Sequence, residues 1–335
     1  MKKLISILSF CFIFLFIACD KAEIADTSKK VELASIFVLE EAYPGEGIIV
    51  TFKNGTEFRH IENVGYILGG DMILTEEQAV LFDEESIDES QPQTRGAIIN
   101  KRTKLWIDYH PIPYRINGNT NGLRQKVLDA IAIWESKTEL RFRELSDAEY
   151  LNKYVNPVVG YTPPYISFRS GSGNSSPVGK SYPGPNTITL DKTGSTVGTA
   201  VHEIGHSIGL MHEHQCWSRD DFIIVHTDNI IKNKRHNFTK ESNHTTYNAI
   251  DFASIMLYPS YNNFAINSSQ PTMSAKSHVP IPPKFQTGHG NNTWTAQRSF
   301  LSVTDRWAVA GAYGYYFNPL DHSFEEGGSM WLALP

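Results

Sequence analysis

Between His202 and His212 the chain reads His202-Glu203-Ile204-Gly205-His206-Ser207-Ile208-Gly209-Leu210-Met211-His212, which is H-E-x-x-H-x-x-G-x-x-H. Residues four apart share one face of a helix, so His202 and His206 can turn toward a single metal ion, their Cβ atoms about 6 Å apart. Glu203 sits beside the first of these ligands, where a carboxylate can reach a metal-activated water without being a ligand itself. Gly209 can stop the helix with a positive φ and turn the chain sharply. That turn would return His212 as a third ligand. Three protein ligands leave a fourth position open, the arrangement of catalytic rather than structural zinc. Two other readings start from the same residues. One is a helix with scattered histidines; the other is a zinc hydrolase of a different clan, whose third ligand is a downstream Glu. The five fixed identities, with Gly209 and His212 at this spacing, favour the three-histidine site.

Such a site needs a rigid support, and the surrounding sequence supplies one. A helix starts near Thr196 and carries the motif. Upstream, residues 123–138 form an amphipathic helix with Leu123, Val127, Leu128, Ile131 and Trp134 at helical spacing. Strands are predicted at 104–108, 112–116, 140–143, 165–168 and 187–190, and residues 171–184, rich in Gly, Ser and Pro, as a loop. Strands and helices alternate as far as His212; beyond it the pattern is irregular. Nearer the N-terminus, residues 47–58 read as a hairpin turning at Asn54-Gly55, and 75–82 as a short helix capped by Thr75.

The chain has 335 residues, 36 Asp and Glu against 30 Lys and Arg, a net charge of −6 and three cysteines. This balance carries no nucleic-acid footprint. The charge is uneven: residues 20–95 hold 17 acidic and 6 basic side chains, and residues 96–335 hold 19 and 22. An acidic front segment therefore precedes a mildly basic body. Lys2 and Lys3 followed by an apolar run over 4–18 read as an export signal, residues 1–18. The run ends in Phe16-Ile17-Ala18-Cys19, close to a bacterial lipoprotein signal, which makes Cys19 a lipidation site and the membrane a partner; the alternative is a conventional signal-peptidase cut nearby, which leaves the chain freely secreted. Cys11 leaves with the signal, so Cys216 is left without a disulfide partner and a hydrophobic core must hold the body together. Residues 20–35 read as a polar tether and 83–95 as an exposed acidic linker.

The residues after the motif add a resemblance. Ser254-Ile255-Met256-Leu257-Tyr258 resembles the Met-turn of the astacin family of zinc endopeptidases, in the metzincin clan, and His202–His212 continued by Glu213 and His214 resembles its zinc motif. Weaker likenesses lie at 130–138, Asn237-Phe238, Tyr247, Leu301-Ser302, Asp305 and Tyr313-Gly314, so the likeness spans about 97–316. It implies an α+β, metzincin-type fold. A twisted, mainly parallel sheet with two long helices would form the N-terminal subdomain, the C-terminal subdomain would be irregular, and zinc would sit in the cleft between. It also implies that Met256 underlies the three histidines, that Tyr258 stabilises the transition state, and that Glu213 engages the new N-terminus after activation. Leu68-Gly69-Gly70-Asp71-Met72 resembles the family's prosegment motif, which would make Asp71 a zinc ligand that silences a zymogen. The divisions are then a signal peptide 1–18, an acidic prosegment 19–95 and a catalytic domain 96–335, with a cut by an activating protease near Arg95-Gly96-Ala97. Two departures stand out: Cys216 occupies the place of the family's Arg, and the loop around Gly173-Asn174-Ser175 lacks the cysteines of the animal enzymes.

The activity implied is hydrolysis of peptide bonds in proteins or peptides, with one zinc ion per chain and Glu203 as general base and acid. The competing reading is a surface lipoprotein that keeps the fold only for binding. It requires a broken site, and Glu203, the three histidines, Met256 and Tyr258 are all present.

Overall fold

The apolar residues that alternate along the predicted strands of the body meet in one buried sheet. The structure, a computed structural model, describes residues 38–53, 55–81, 98, 104–155, 163–181, 184–240, 250–317 and 324–326. The export signal, Cys19, the tether, the acidic linker, Arg95-Gly96-Ala97 and Tyr247 lie outside the described residues.

Strands β1 (Ile48–Thr51), β2 (Glu57–Ile61), β3 (Gly65–Leu68) and β4 (Met72–Leu74) form an antiparallel meander. Helix α1 (Glu76–Leu81) follows, with Gln78 N donating to the Thr75 hydroxyl at 3.3 Å. In the body come β5 (Ile112–Asn117), α2 (Leu123–Lys137), β6 (Phe142–Glu144), the single turn α3 (Asp147–Tyr150), β7 (Ile166–Gly171), β8 (Ser176–Pro177), β9 (Asn186–Asp191) and α4 (Val197–Ser207). Four of these strands make a wholly parallel sheet in the order β6-β5-β7-β9. Parallel neighbours need crossover connections, and α2 supplies one between β5 and β6. Ile112, Tyr114, Ile166, Phe168, Ile188 and Leu190 of the sheet share a core with Val127, Ile131 and Trp134 of α2 and Val201 and Ile204 of α4.

Two sequence readings change here. Residues 104–108 form a turn rather than a strand. Leu105 and Trp106 are buried, and the Trp106 indole donates to the Ser207 carbonyl at the end of α4, 2.8 Å away. The loop 171–184 contains β8, which pairs in parallel with β4 of the N-terminal segment, Met72 opposite Ser176. The meander and β8 thus form one five-stranded sheet, β1-β2-β3-β4-β8. The segment's own core of Phe58, Leu68, Met72, Leu74 and Ala79 closes on Val178 and Met211 of the body.

After α4 the chain runs through 3₁₀ turns and the small pairs β10 (Ile223–Val225) with β11 (Met273–Ala275) and β12 (Gln286–Thr287) with β13 (Gly290–Trp294). Phe238, Phe252, Leu257, Tyr258, Phe264 and Trp294 pack together among them. Helix α5 (Val303–Tyr313) is capped reciprocally by Ser302 and Asp305, and β14 (Tyr315–Phe317) pairs with β15 (Phe324–Glu326).

Trp134 is fully buried on α2, and its indole donates to the Val201 carbonyl of α4 at 3.0 Å, tying one long helix to the other. Trp134→Ala is expected to cost about 3–5 kcal/mol of stability, the usual range for a buried aromatic truncated to alanine. Urea unfolding measures it, and a loss below about 1 kcal/mol would mean the α2–α4 contact does not hold the body.

Candidate metal centre

Helix α4 is built to hold its side chains still. Thr196 accepts from Thr199 N at 3.1 Å and Thr199 accepts from Thr196 N at 3.2 Å, closing the first turn. All but one of its residues, Val197, are buried. The helix ends at Gly209, whose φ of 108° favours glycine, and Leu210 N donates back to the Gly205 carbonyl at 2.9 Å. The reversal returns His212 to the face that carries His202 and His206.

The three imidazoles converge through Nε2. Those of His202 and His206 lie 3.2 Å apart, and those of His202 and His212 3.4 Å apart. The fourth corner is Asp71, brought in by the turn between β3 and β4. Its carboxylate oxygens lie 3.2 Å from Nε2 of His202, 3.3 Å from that of His212 and 3.5 Å from that of His206. All four side chains are fully buried, and these are the residues that form a metal-holding group among the described residues. The turn depends on Gly69 and Gly70, at φ 60° and 90°. A Cβ on Gly69 would lie 2.5 Å from His212 Nδ1, and one on Gly70 would lie 2.9 Å from the Tyr258 hydroxyl.

The donor chemistry fits zinc. His202 Nδ1 faces the Ile255 carbonyl at 2.9 Å and His206 Nδ1 faces the Leu210 carbonyl at 2.8 Å. A carbonyl only accepts, so each Nδ1 carries the proton and each Nε2 turns a lone pair inward. Lone pairs and a carboxylate facing one another in a dry site repel unless a cation lies among them. Donors about 2.0–2.1 Å from one tetrahedral zinc ion stand about 3.4 Å apart, as these do.

Electrostatics agree. Burial alone would raise the Asp71 pKa, but the pull of His212, then of His206, with His202 beside them, outweighs it and holds the carboxyl well below its ordinary range. Burial lowers His206 to about 4, against the opposing pull of Asp71, so its imidazole stays neutral and ready to ligate. Glu203 is fully buried, and neither of its carboxylate oxygens has a hydrogen-bond partner among the described residues. Burial, followed by the negative charges of Asp71 and Glu40, raises its pKa well above the usual carboxylate range.

Met256 reaches the back of the motif: a Cβ on Gly205 would lie 2.9 Å from its sulfur, so a larger residue there would push the Met256 side chain aside. Asp305 anchors that turn, accepting from the Ser254 hydroxyl at 2.6 Å and from Ile255 N at 3.1 Å. The Tyr258 ring stacks on His214, centroids 4.3 Å apart, and its hydroxyl donates to the Gly69 carbonyl. Glu213 is buried, and its Oε1 accepts from Asp251 N at 3.0 Å.

Three residues of the site carry no signature in the sequence. Gln215 Oε1 lies 3.0 Å from His212 Nδ1. Arg298 donates to the Ile255 carbonyl at 2.7 Å and forms a two-pronged pair with Glu40 of the N-terminal segment, both contacts 3.0 Å. Gln215 lies just past the motif, in a turn that has no period. Glu40 and Arg298 are 258 positions apart, and no local pattern pairs them.

Residues 98–297 match the family model of the astacin peptidases. Protein SpAN of Strongylocentrotus purpuratus is 33% identical over 242 residues, covering 70% of this chain and 35% of that protein. Blastula protease 10 of Paracentrotus lividus is 34% identical over 213 residues, 62% of this chain and 34% of that protein. Flavastacin of Elizabethkingia meningoseptica is 26% identical over 269 residues, 78% of this chain and 53% of that protein. The chain spans about a third of the length of the first two. The family match takes in more than half of the chain, including the three histidines, Glu203, Met256 and Tyr258, and the chain belongs to the astacin family of zinc metallopeptidases.

Proposed function

We propose that the chain is a zinc-dependent endopeptidase, exported and made as a zymogen whose N-terminal segment silences the site through Asp71. The observation that carries this reading is the Asp71 carboxylate at the fourth corner of the three-histidine group, the corner a catalytic site keeps open.

Zinc held by His202, His206 and His212 would supply the Lewis acidity that activates a water and polarises the scissile carbonyl. Glu203 then takes the proton of the attacking water and returns it to the leaving amine. Its burial beside the ligands suits a group that must hold that proton between the two steps. Tyr258 donates to the carbonyl oxygen as it gains charge, an effect worth about 3 kcal/mol per donor in comparable sites. In the silent chain that hydroxyl is taken by the Gly69 carbonyl, so the segment withholds the donor and the open corner together.

The same reading extends to the ends of the segment. Residues 1–18 direct export, Cys19 carries a lipid that anchors the chain to the envelope membrane, and residues 19–95 are the prosegment. An activating protease cuts near Arg95-Gly96-Ala97, and Glu213 then receives the new N-terminus of the catalytic domain, 96–335. Protein or peptide substrates occupy the cleft that the segment leaves.

In the activated chain, Glu203→Ala is expected to keep zinc bound while lowering hydrolysis of casein by at least about a hundredfold, the scale of a lost general base. Metal analysis beside the assay reads both, and full residual activity would remove Glu203 from the mechanism. Stripping the metal with a chelator is expected to lower the melting temperature, because a cation bound only by the folded state stabilises it. A melt indifferent to chelator and to added zinc speaks against the site. Asp71→Ala in the uncut chain is expected to cleave a short fluorogenic peptide that the wild-type precursor leaves intact. Equal silence of the two precursors would refute the switch.

A further inference from the structure

We infer that Gln215 is a positioning residue of the metal centre: its carboxamide fixes the tautomer and direction of the His212 ring, and so sets how tightly the third imidazole holds zinc. The inference rests on the zinc reading above and concerns a residue outside the H-E-x-x-H-x-x-G-x-x-H motif.

The three ligands are not supported alike. His202 and His206 lean on backbone carbonyls, Ile255 and Leu210, which the fold places regardless of side-chain identity. His212 leans on a side chain, Gln215 Oε1, 3.0 Å from its Nδ1. An amide can present either its oxygen or its nitrogen, and the other end of the group settles which. Gln215 Nε2 lies 3.1 Å from the Thr239 carbonyl, which can only accept. The NH₂ therefore faces Thr239 and the oxygen faces the imidazole. His212 Nδ1 must then be the donor, and its Nε2 lone pair is left for the metal. Gln215 thus acts as an adaptor, carrying the orienting effect of a distant carbonyl to a ring that has none of its own.

The surroundings leave this bond without a substitute. His212 and Gln215 are both fully buried. The N-terminal segment closes over the contact: a Cβ on Gly69 would lie 2.5 Å from Gln215 Oε1 and 2.5 Å from His212 Nδ1. The glycine that lets Asp71 reach the centre is also the residue that spares the Gln215–His212 bond. Partners that orient a ligating histidine typically change metal affinity by about 10–100-fold when they are lost.

Gln215→Leu in the full-length chain separates orientation from packing, because leucine fills a similar volume and offers no acceptor. Zinc affinity is read by competition with a chelator. The imidazole Nδ1–H signals of the zinc-loaded chain are read by proton–nitrogen NMR, and melting of the metal-free chain controls for folding. The expected result is a loss of zinc affinity of about 10–100-fold. The His212 Nδ1–H signal should shift or vanish, those of His202 and His206 should stay in place, and the metal-free melt should be unchanged. Zinc affinity indistinguishable from wild type would overturn the role of Gln215. So would displacement of all three signals together with a lowered metal-free melt, which marks a packing residue. A wild-type chain that takes up no zinc would instead overturn the zinc reading itself.

Discussion

Three imidazole lone pairs and a carboxylate turned toward one buried point form an arrangement that a cation makes stable. His202, His206, His212 and Asp71 are fully buried and their facing atoms lie 3.2–3.5 Å apart. Everything around them serves to hold that geometry against its own repulsion. Helix α4 fixes two of the rings, and the reversal at Gly209 fixes where the third can be. Carbonyls and one carboxamide set which nitrogen of each ring faces inward.

The support extends outward in layers. The parallel sheet and α2 bury the apolar side of α4, and the indoles of Trp134 and Trp106 grip its carbonyls at Val201 and Ser207. On the opposite side Asp305 holds the turn of Ser254 and Ile255. The Ile255 carbonyl then receives both His202 Nδ1 and the Arg298 guanidinium. One carbonyl therefore links a metal ligand to a buried cation, and through Glu40 to the N-terminal segment.

Much of this was legible because it is local. The spacing of the three histidines, the helix start near Thr196, the stripe from Leu123 to Trp134 and the hairpin over 47–58 each depend on residues a few positions apart. What escaped depends on partners far along the chain. Residues 104–108 read as a strand piece around Leu105-Trp106-Ile107, yet they turn, and the Trp106 indole reaches a carbonyl about a hundred positions later. Residues 176–177 sit among glycines, serines and prolines and look like a loop; β4, which makes them a strand, lies about a hundred positions earlier. Gln215 has no periodicity to betray it, since its meaning comes from His212 on one side and Thr239 on the other.

The β4–β8 pairing and the Glu40–Arg298 pair have a consequence for what a cut in the chain can do. Each joins a partner before residues 82–97 to one after them, so a break there severs neither. It changes instead the order of the reaction by which the segment leaves. Before the cut the segment is held at the high effective concentration of a tethered group. After it, departure depends on dilution and on whatever competes for its sites. On the proposed zymogen reading, the cut chain would behave as a complex of two polypeptides with its own dissociation constant, and the onset of activity would follow the lifetime of that complex rather than the moment of cleavage.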